Sequence, residues 1–353
     1  MISAASAVVT RKARAGAARL LPLLFVLGVA AGCGGGDSDA GDVVRLSGAT
    51  MGTTWHVTVV TRGDAQPKAL ASGVQGVLDG IHHDMSTYLP DSDLSRFNRA
   101  GVDEAVPVSA RTLAVTLAAL DVARETDYAF NPAVGALVEL WGFGAAEAPP
   151  ALPDDSAIEA AMATARLDRL QVDAAASALR KSAPLSLDLS AIAKGYGVDQ
   201  VAQWLEQQGL GDYLVEVGGE LKTAGRNPDG RLWRVGIEKP QLVPGQAELA
   251  IALSGQAIAT SGDYRNYREV DGQRFSHEID PRTGRPISHN LASASVIAAS
   301  AMLADGYATA LMVMGPDEAL RFANQRALPV YLLVKTKEGV RARYSEAFRP
   351  YLQ

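Results

Sequence analysis

One short stretch, Leu187-Asp188-Leu189-Ser190-Ala191-Ile192-Ala193-Lys194-Gly195-Tyr196, constrains the fold more than any other part of the chain. Leu185, Leu187 and Leu189 alternate with Ser186, Asp188 and Ser190, the period of a strand. Val198, Val201, Ala202 and Leu205 then repeat at helical spacing until Gly209 stops the run. A chain that changes period so abruptly turns a strand directly into a helix. Ser190 stands where a helix N-cap belongs, which puts Asp188 at the strand end, facing helix amides that attract anions. An acid, free amides and Lys194 one turn later are the parts of a phosphate or metal-phosphate site. They are equally the parts of an ordinary capped junction, and the stretch alone does not decide between the two.

The rest of the chain narrows the choice. Its 353 residues are 48% hydrophobic and 20% charged, enough for a large core in one or two domains. A net charge of -6 argues against nucleic acid as a partner, since that needs a basic face. Residues 1–32 read as a lipoprotein signal: Arg11, Lys12, Arg14 and Arg19 precede an apolar run, Leu20 to Ala31, too short to span a bilayer comfortably. The run ends in Ala30-Ala31-Gly32-Cys33, which resembles a bacterial lipobox, although the usual Leu is absent at Ala30. That resemblance implies cleavage before Cys33 and lipid on its sulfur. Residues 33–42 then form a Gly/Ser/Asp tether. By the same resemblance, Gly34 after the cysteine leans towards the outer over the inner membrane of a two-membrane cell, on the periplasmic side. A plain secretory signal with an accidental Cys33 is the alternative. As the only cysteine, Cys33 excludes an intrachain disulfide.

Residues 43–353 form the folded domain. Trp55, Val57 and Val59 alternate in a half-buried strand after Met51-Gly52-Thr53. Leu70, Val74, Val77, Leu78, Ile81 and Met85 trace one face of a helix, with His82 and His83 near its end as surface or packing residues. Asp91 or Ser92 caps a short helical turn, and Ser109 caps a longer helix with Leu113, Leu117 and Leu120 on its buried face. Phe130-Asn131-Pro132 breaks regular structure. The segment from Gly135 to Gly144 carries Trp141 and Phe143 between glycines and suits either a cofactor wall or a core corner. A helix over Ile158 to Ala165, strands at Leu167 to Val172 and Leu185 to Leu189, and a strand from Tyr213 to Val217 closing on Gly218-Gly219 follow. Further strands cover Trp233 to Ile237, Leu249 to Leu253 and Ile258. Strands that follow one another without intervening helices predict an α+β fold rather than regular βαβ winding.

The most chemically loaded segment runs from Ala257 to Gly315. His277 beside Asp280 reads as a base with an orienting acid or as a satisfied structural histidine. Asp305 and Thr309 share one helical face and are hard ligands suited to Mg²⁺ or Ca²⁺, or simply hydrogen-bond each other. No G-x-S-x-G, H-E-x-x-H or G-x-x-x-x-G-K motif offers a rival chemistry.

In order and spacing, these pieces resemble the ApbE family, the FAD:protein FMN transferases. The resemblance runs from about Gly48 to Tyr331. It rests on Met51-Gly52-Thr53-Thr54-Trp55, Met85-Ser86-Thr87-Tyr88, Trp141-Gly142-Phe143-Gly144 and the stretch from Asp188 to Tyr196. Gly218-Gly219, Ala259-Thr260-Ser261-Gly262, His277 with Asp280-Pro281-Arg282-Thr283-Gly284, and Ala304-Asp305 with Thr309 complete it. It implies an ApbE-like α+β fold with mixed and antiparallel sheets, flanking helices and a cofactor pocket between subdomains. By position it implies flavin contacts at Met51, Tyr88, Ala129, Phe130, Asn131, Asp188, Lys194 and Ile279. It implies Mg²⁺ on Asp305, Thr309 and the Ala191 carbonyl. Glu278 stands where many relatives carry an apolar residue, and Ala308 where some carry an acid. The activity implied is Mg²⁺-dependent transfer of FMN from FAD to a protein threonine or serine, releasing AMP, with His277 as base and Asp280 to orient it. The acceptors implied are extracytoplasmic subunits of membrane redox complexes. An FAD pyrophosphatase and a non-enzymatic FAD-binding lipoprotein are the rival readings.

Overall fold

Alternating hydrophobicity and tight two-residue turns generate most of the sheet, and the computed structural model describes residues 41–63, 66–239, 247–264 and 266–352. The leader, Cys33 and nearly all of the tether lie outside the described residues. The first half runs β1 (Asp42–Thr50), β2 (Thr53–Thr61), α1 (Pro67–Met85), α2 (Asp93–Arg99), β3 (Val106–Pro107), α3 (Ala110–Glu125), α4 (Gly135–Leu140), α5 (Asp155–Met162), β4 (Leu170–Asp173), β5 (Ala178–Lys181) and α6 (Ser190–Gln207). Next come β6 (Tyr213–Val217), β7 (Glu220–Ala224), β8 (Trp233–Glu238), β9 (Ala247–Leu253), β10 (Gln256–Gly262), β11 (Tyr267–Val270), β12 (Gln273–Ser276), β13 (Ile279–Asp280) and β14 (Arg285–Pro286). The chain closes with β15 (Leu291–Ala298), α7 (Ala301–Met314), α8 (Pro316–Gln325), β16 (Val330–Thr336) and β17 (Gly339–Tyr344).

Among the described residues the main sheet has eight strands in the order β1-β2-β6-β7-β10-β15-β16-β17. Every pairing in it is antiparallel, as the α+β expectation requires. Trp55, Val57 and Val59 of β2 face α1 and α6, joined by Tyr213, Val215 and Val217 of β6. On β10, Ala259 faces the helical side, while Ile258 faces the β8–β9 hairpin. The middle of the sheet is thus covered on both faces. Among the described residues, no helix is long and apolar enough to cross a membrane.

The crossing of α6 and α7 positions the site. A Cβ on Gly195 would sit 2.2 Å from the Ala301 carbonyl oxygen and 2.8 Å from Met302 Cα, so only glycine permits this approach. One turn further along α6, Asp199 caps α7. It accepts from the Ser300 hydroxyl at 2.7 Å and from the Ala301 and Met302 amides at 3.1 and 3.0 Å, and it pairs with Lys222 at 2.7 Å. A carboxylate at that helix start satisfies orphan amides and complements the dipole.

Three local expectations are corrected. Leu185 to Leu189 is not a strand, although the three leucines are buried as the alternation requires. The segment is extended, but its polar groups pair with a side chain and a loop. Asn98 donates to the Leu187 carbonyl and accepts from its amide, both at 2.8 Å, and the Asp188 amide donates to the Pro132 carbonyl at 2.8 Å. Ser190 is not the cap but the first residue of α6; its amide donates to Asp188 Oδ1 at 2.8 Å. On α3 the buried face carries Val115, Ala119, Val122 and Ala123, and Leu117 is exposed. Small side chains win that face because α7 approaches closely: a Cβ on Gly306 would lie 3.4 Å from Val122. The caps at Ser92 and Ser109 form as expected.

Candidate active site

Two hairpin tips and the start of α6 build the floor of the site. Met51 and Gly52 close the β1–β2 hairpin at φ 46° and 74°, and Gly218 and Gly219 close β6–β7 at 62° and 106°. Two-residue loops with positive φ at both positions match the twist of the strands they join. Met51 accepts a conformation that disfavours a side chain, and its Cε methyl points towards Gly197 of α6. A Cβ on Gly218 would meet Thr53 at 2.9 Å and Lys194 Cδ at 3.3 Å, so the tips converge on Lys194.

Lys194 Nζ lies 3.6 Å from Asp305 Oδ2, 3.5 Å from Glu220 Oε1 and 3.3 Å from the Ser190 carbonyl. Burial opposes its charge, but Asp305 and Glu220 outweigh that and raise its pKa. Both acids are buried. Burial pushes the Glu220 carboxyl up to about 8; Lys194 opposes the rise and Asp305 adds to it. Glu220 Oε2 is buried with no hydrogen-bond partner. Glu278 is also buried: burial raises its carboxyl, His277 and Lys194 pull it back, and Asp305 and Asp263 add to the rise. Sequence reasoning had singled out Glu278 only as a departure and missed Glu220, whose one signal was its place directly after Gly218-Gly219.

Asp305 Oδ2 accepts from the Gly195 amide at 3.0 Å. The ordinary helical acceptor of that amide is the Ala191 carbonyl, so Asp305 Oδ2 and that carbonyl both lie beside the Gly195 N–H. Thr309 Oγ1 lies 3.3 Å from Ser261 Oγ rather than bonding Asp305. Among the described residues, no three His, Cys, Asp or Glu side chains gather as a metal cluster. The donors at hand are instead one carboxylate, one hydroxyl and one backbone carbonyl. They are hard oxygens, and an unpartnered buried carboxylate oxygen lies nearby. This set fits Mg²⁺, which keeps several waters beside few protein ligands. Ala308 is buried against the core.

The opposite wall carries the aromatic segment. Tyr88 is 66% exposed and its hydroxyl donates to the Gly144 carbonyl at 3.3 Å. Its pKa is raised by partial burial and by the charges of Asp188 and Glu139, so Tyr88, Asp188 and the α4 segment adjoin. Phe143 stands edge-on to His277 with centroids 6.4 Å apart. His277 Nδ1 contacts the Asn266 carbonyl at 2.9 Å and must donate there, since a carbonyl only accepts. Its Nε2 lies 3.7 Å from Glu278 Oε1, too far for a hydrogen bond. Asp280 does not supply the expected orienting contact. It is held in a tight turn by the Arg282 amide at 2.9 Å and its guanidinium at 3.0 and 3.1 Å.

The remaining positions lie deeper. Ala129 and Phe130 are 1% and 2% exposed and belong to the main core. The Asn131 side chain is engaged with the Ala165 carbonyl and the Ala133 amide. Ile279 packs with Trp141, whose indole donates to the Gly284 carbonyl at 2.8 Å. A separate cleft of about 140 Å³ between α1, α3 and α6, lined by Arg111, Gln200 and Trp204 among others, holds none of the site residues.

The model of the ApbE family matches residues 51–332. The FAD:protein FMN transferase of Vibrio cholerae is 43% identical over 311 residues, covering 88% of this chain and 92% of that protein. The FAD:protein FMN transferase of Klebsiella pneumoniae is 42% identical over 318 residues, covering 89% and 91%. The solved structure of the flavin transferase ApbE from Vibrio cholerae superposes with a TM-score of 0.81 at 42% identity, covering 88% of this chain and 99% of that one. Sequence and architecture agree over nearly the whole described body, and the chain belongs to the ApbE family.

Proposed function

We infer that this chain is an FAD:protein FMN transferase acting on a threonine or serine hydroxyl of an acceptor protein. The observation that supports the reading is Lys194 beside Asp305, with Thr309 one turn further along α7, and His277 beside the buried Glu278, whose carboxyl senses the charges of Lys194 and Asp305. His277 donates through Nδ1 to Asn266, so the neutral ring keeps its lone pair on Nε2, facing the site. In the reaction the acceptor oxygen bonds to the phosphorus on the FMN side of the FAD pyrophosphate. The bond from that phosphorus to the bridging oxygen breaks, AMP leaves with the oxygen, and the hydroxyl proton passes to His277 Nε2. Mg²⁺ held by Asp305, Thr309 and the Ala191 carbonyl would offset the charge on the departing phosphate. Lys194, half-buried between acids, supplies a fixed positive charge to the same region. Lipid on Cys33 and extracytoplasmic acceptor subunits of membrane redox complexes complete the proposal, on the strength of the basic, apolar and Ala-Ala-Gly-Cys leader.

The test is incubation with FAD, Mg²⁺ and a candidate acceptor. Flavin fluorescence that stays on the denatured acceptor is the expected result. Free FMN and AMP without labelled acceptor would make the protein a pyrophosphatase. Intact FAD would make it a binding protein, and either outcome overturns the inference.

A further inference from the structure

Lys194 lies between two buried carboxylates, near the position where the cation is proposed to bind. We propose that Lys194 acts as a placeholder for the cation on Asp305, and that Glu220 is the positioning residue that takes over its ammonium when a divalent cation arrives. The inference rests on the assignment of Asp305 as a cation ligand.

Three observations carry it. The ammonium is shared almost equally, at 3.6 Å from Asp305 and 3.5 Å from Glu220, and bonds neither at ordinary charge-assisted length. A dication on Asp305 would meet that ammonium at close range, and like charges in a buried site repel strongly. The lysine therefore has to move, and its cheapest destination is the carboxylate it already touches. Glu220 has the capacity to receive it: its side chain is 5% exposed, and Oε2 is buried with no partner. A buried carboxylate oxygen left unpaired is costly unless some state of the protein uses it. The Lys194 stem passes over Gly218, where the absent side chain leaves it room to swing. Asp305 itself stays in place, since the Gly195 amide holds Oδ2 independently of the lysine.

The measurement is Mn²⁺ affinity of the intact, FAD-free protein, made above the pH of about 8 to which burial raises Glu220, so that its carboxylate is ionised, and followed by electron paramagnetic resonance with no turnover involved. Glu220→Gln strands the ammonium on Asp305 and should weaken Mn²⁺ about tenfold, within the usual range for coupled neighbours. Lys194→Met removes the competitor and should tighten Mn²⁺ by a similar factor. The decisive comparison is Glu220→Gln made on Lys194→Met, where it should change nothing, because Glu220 acts only through the lysine. If Glu220→Gln weakens Mn²⁺ equally with and without Lys194, Glu220 contributes only its field and the placeholder role is wrong. Lys194→Gln repeats the cycle with a polar side chain should the methionine variant fail to fold. Asp305→Asn separates the two levels: unchanged Mn²⁺ affinity there removes the underlying cation site, whereas lost affinity with an additive cycle removes only the placeholder.

Discussion

His277 offers one nitrogen to the Asn266 carbonyl and leaves the other towards the site, so its loss should affect the proton and little else. His277→Asn is expected to keep FAD affinity and melting temperature while transfer falls by roughly 10²- to 10⁴-fold. The wild-type rate is expected to rise with pH, and that rise should vanish in the variant; a pH-rate series with FAD titration and melting curves checks the prediction. Glu220 sets a second expectation. Its folded pKa stands above the unfolded value, so the native state binds the extra proton between about 4.3 and 8. Its contribution to stability is full below the unfolded value and is lost as pH rises towards 8. In the cation-free protein the stability difference between wild type and Glu220→Gln should shift against the wild type over that window. The slope should not exceed ~1.4 kcal/mol per pH unit, and denaturant titrations at stepped pH read it. Lys194, Asp305 and Thr309 were legible in the sequence because each sits in a motif of its own. Glu220 was not, because its environment is made by α6 and α7, which its own neighbours do not reveal. The pairing of His277 with Asp280 failed for a geometric reason. Residues three apart in an extended segment point to opposite faces, and the turn at Arg282 then claims the acid.

Elements transmit these positions. Gly195 is where α6 meets α7, and Gly195→Ala should push the helices apart, cost about 1–3 kcal/mol in denaturant unfolding and weaken cation binding with it. Gly76, exposed in α1 with nothing near its would-be Cβ, is the control: Gly76→Ala should gain up to ~1 kcal/mol. Asp199→Ala should cost about 1–3 kcal/mol through the amides of α7 it leaves unpaired. Helices, their caps at Ser92 and Ser109, and strands such as β2 and β6 could be read directly, since periodicity and local hydrogen bonds decide them. The segment before α6 could not. Its leucines alternate as in a strand, but the partner that satisfies its backbone is the side chain of Asn98, which leaves no trace in the pattern of residues 185–189. Asn98→Ala should accordingly loosen Asp188, with a loss of FAD affinity measurable by titration alongside a drop in stability of a few kcal/mol.

At the scale of the molecule, the antiparallel sheet was legible in class but not in order. Adjacent strands such as β6 and β7 announce their pairing through a glycine turn, whereas β2 with β6 and β7 with β10 pair across long insertions. Lipid on Cys33, as proposed, predicts that Cys33→Ala with the signal removed leaves the transferase active but moves it from the membrane to the soluble fraction, read by fractionation and immunoblot; membrane retention of that variant would count against lipid anchoring. The β1 strand adds a matter of reach. It covers nine residues, about 30 Å at the usual rise, and its Met51 end lies at the site while its Asp42 end receives the tether. Material attached at Asp42 is therefore kept a full strand's length from Met51, and a bulky domain inserted just before Asp42 should leave FMN transfer unchanged in a transfer assay.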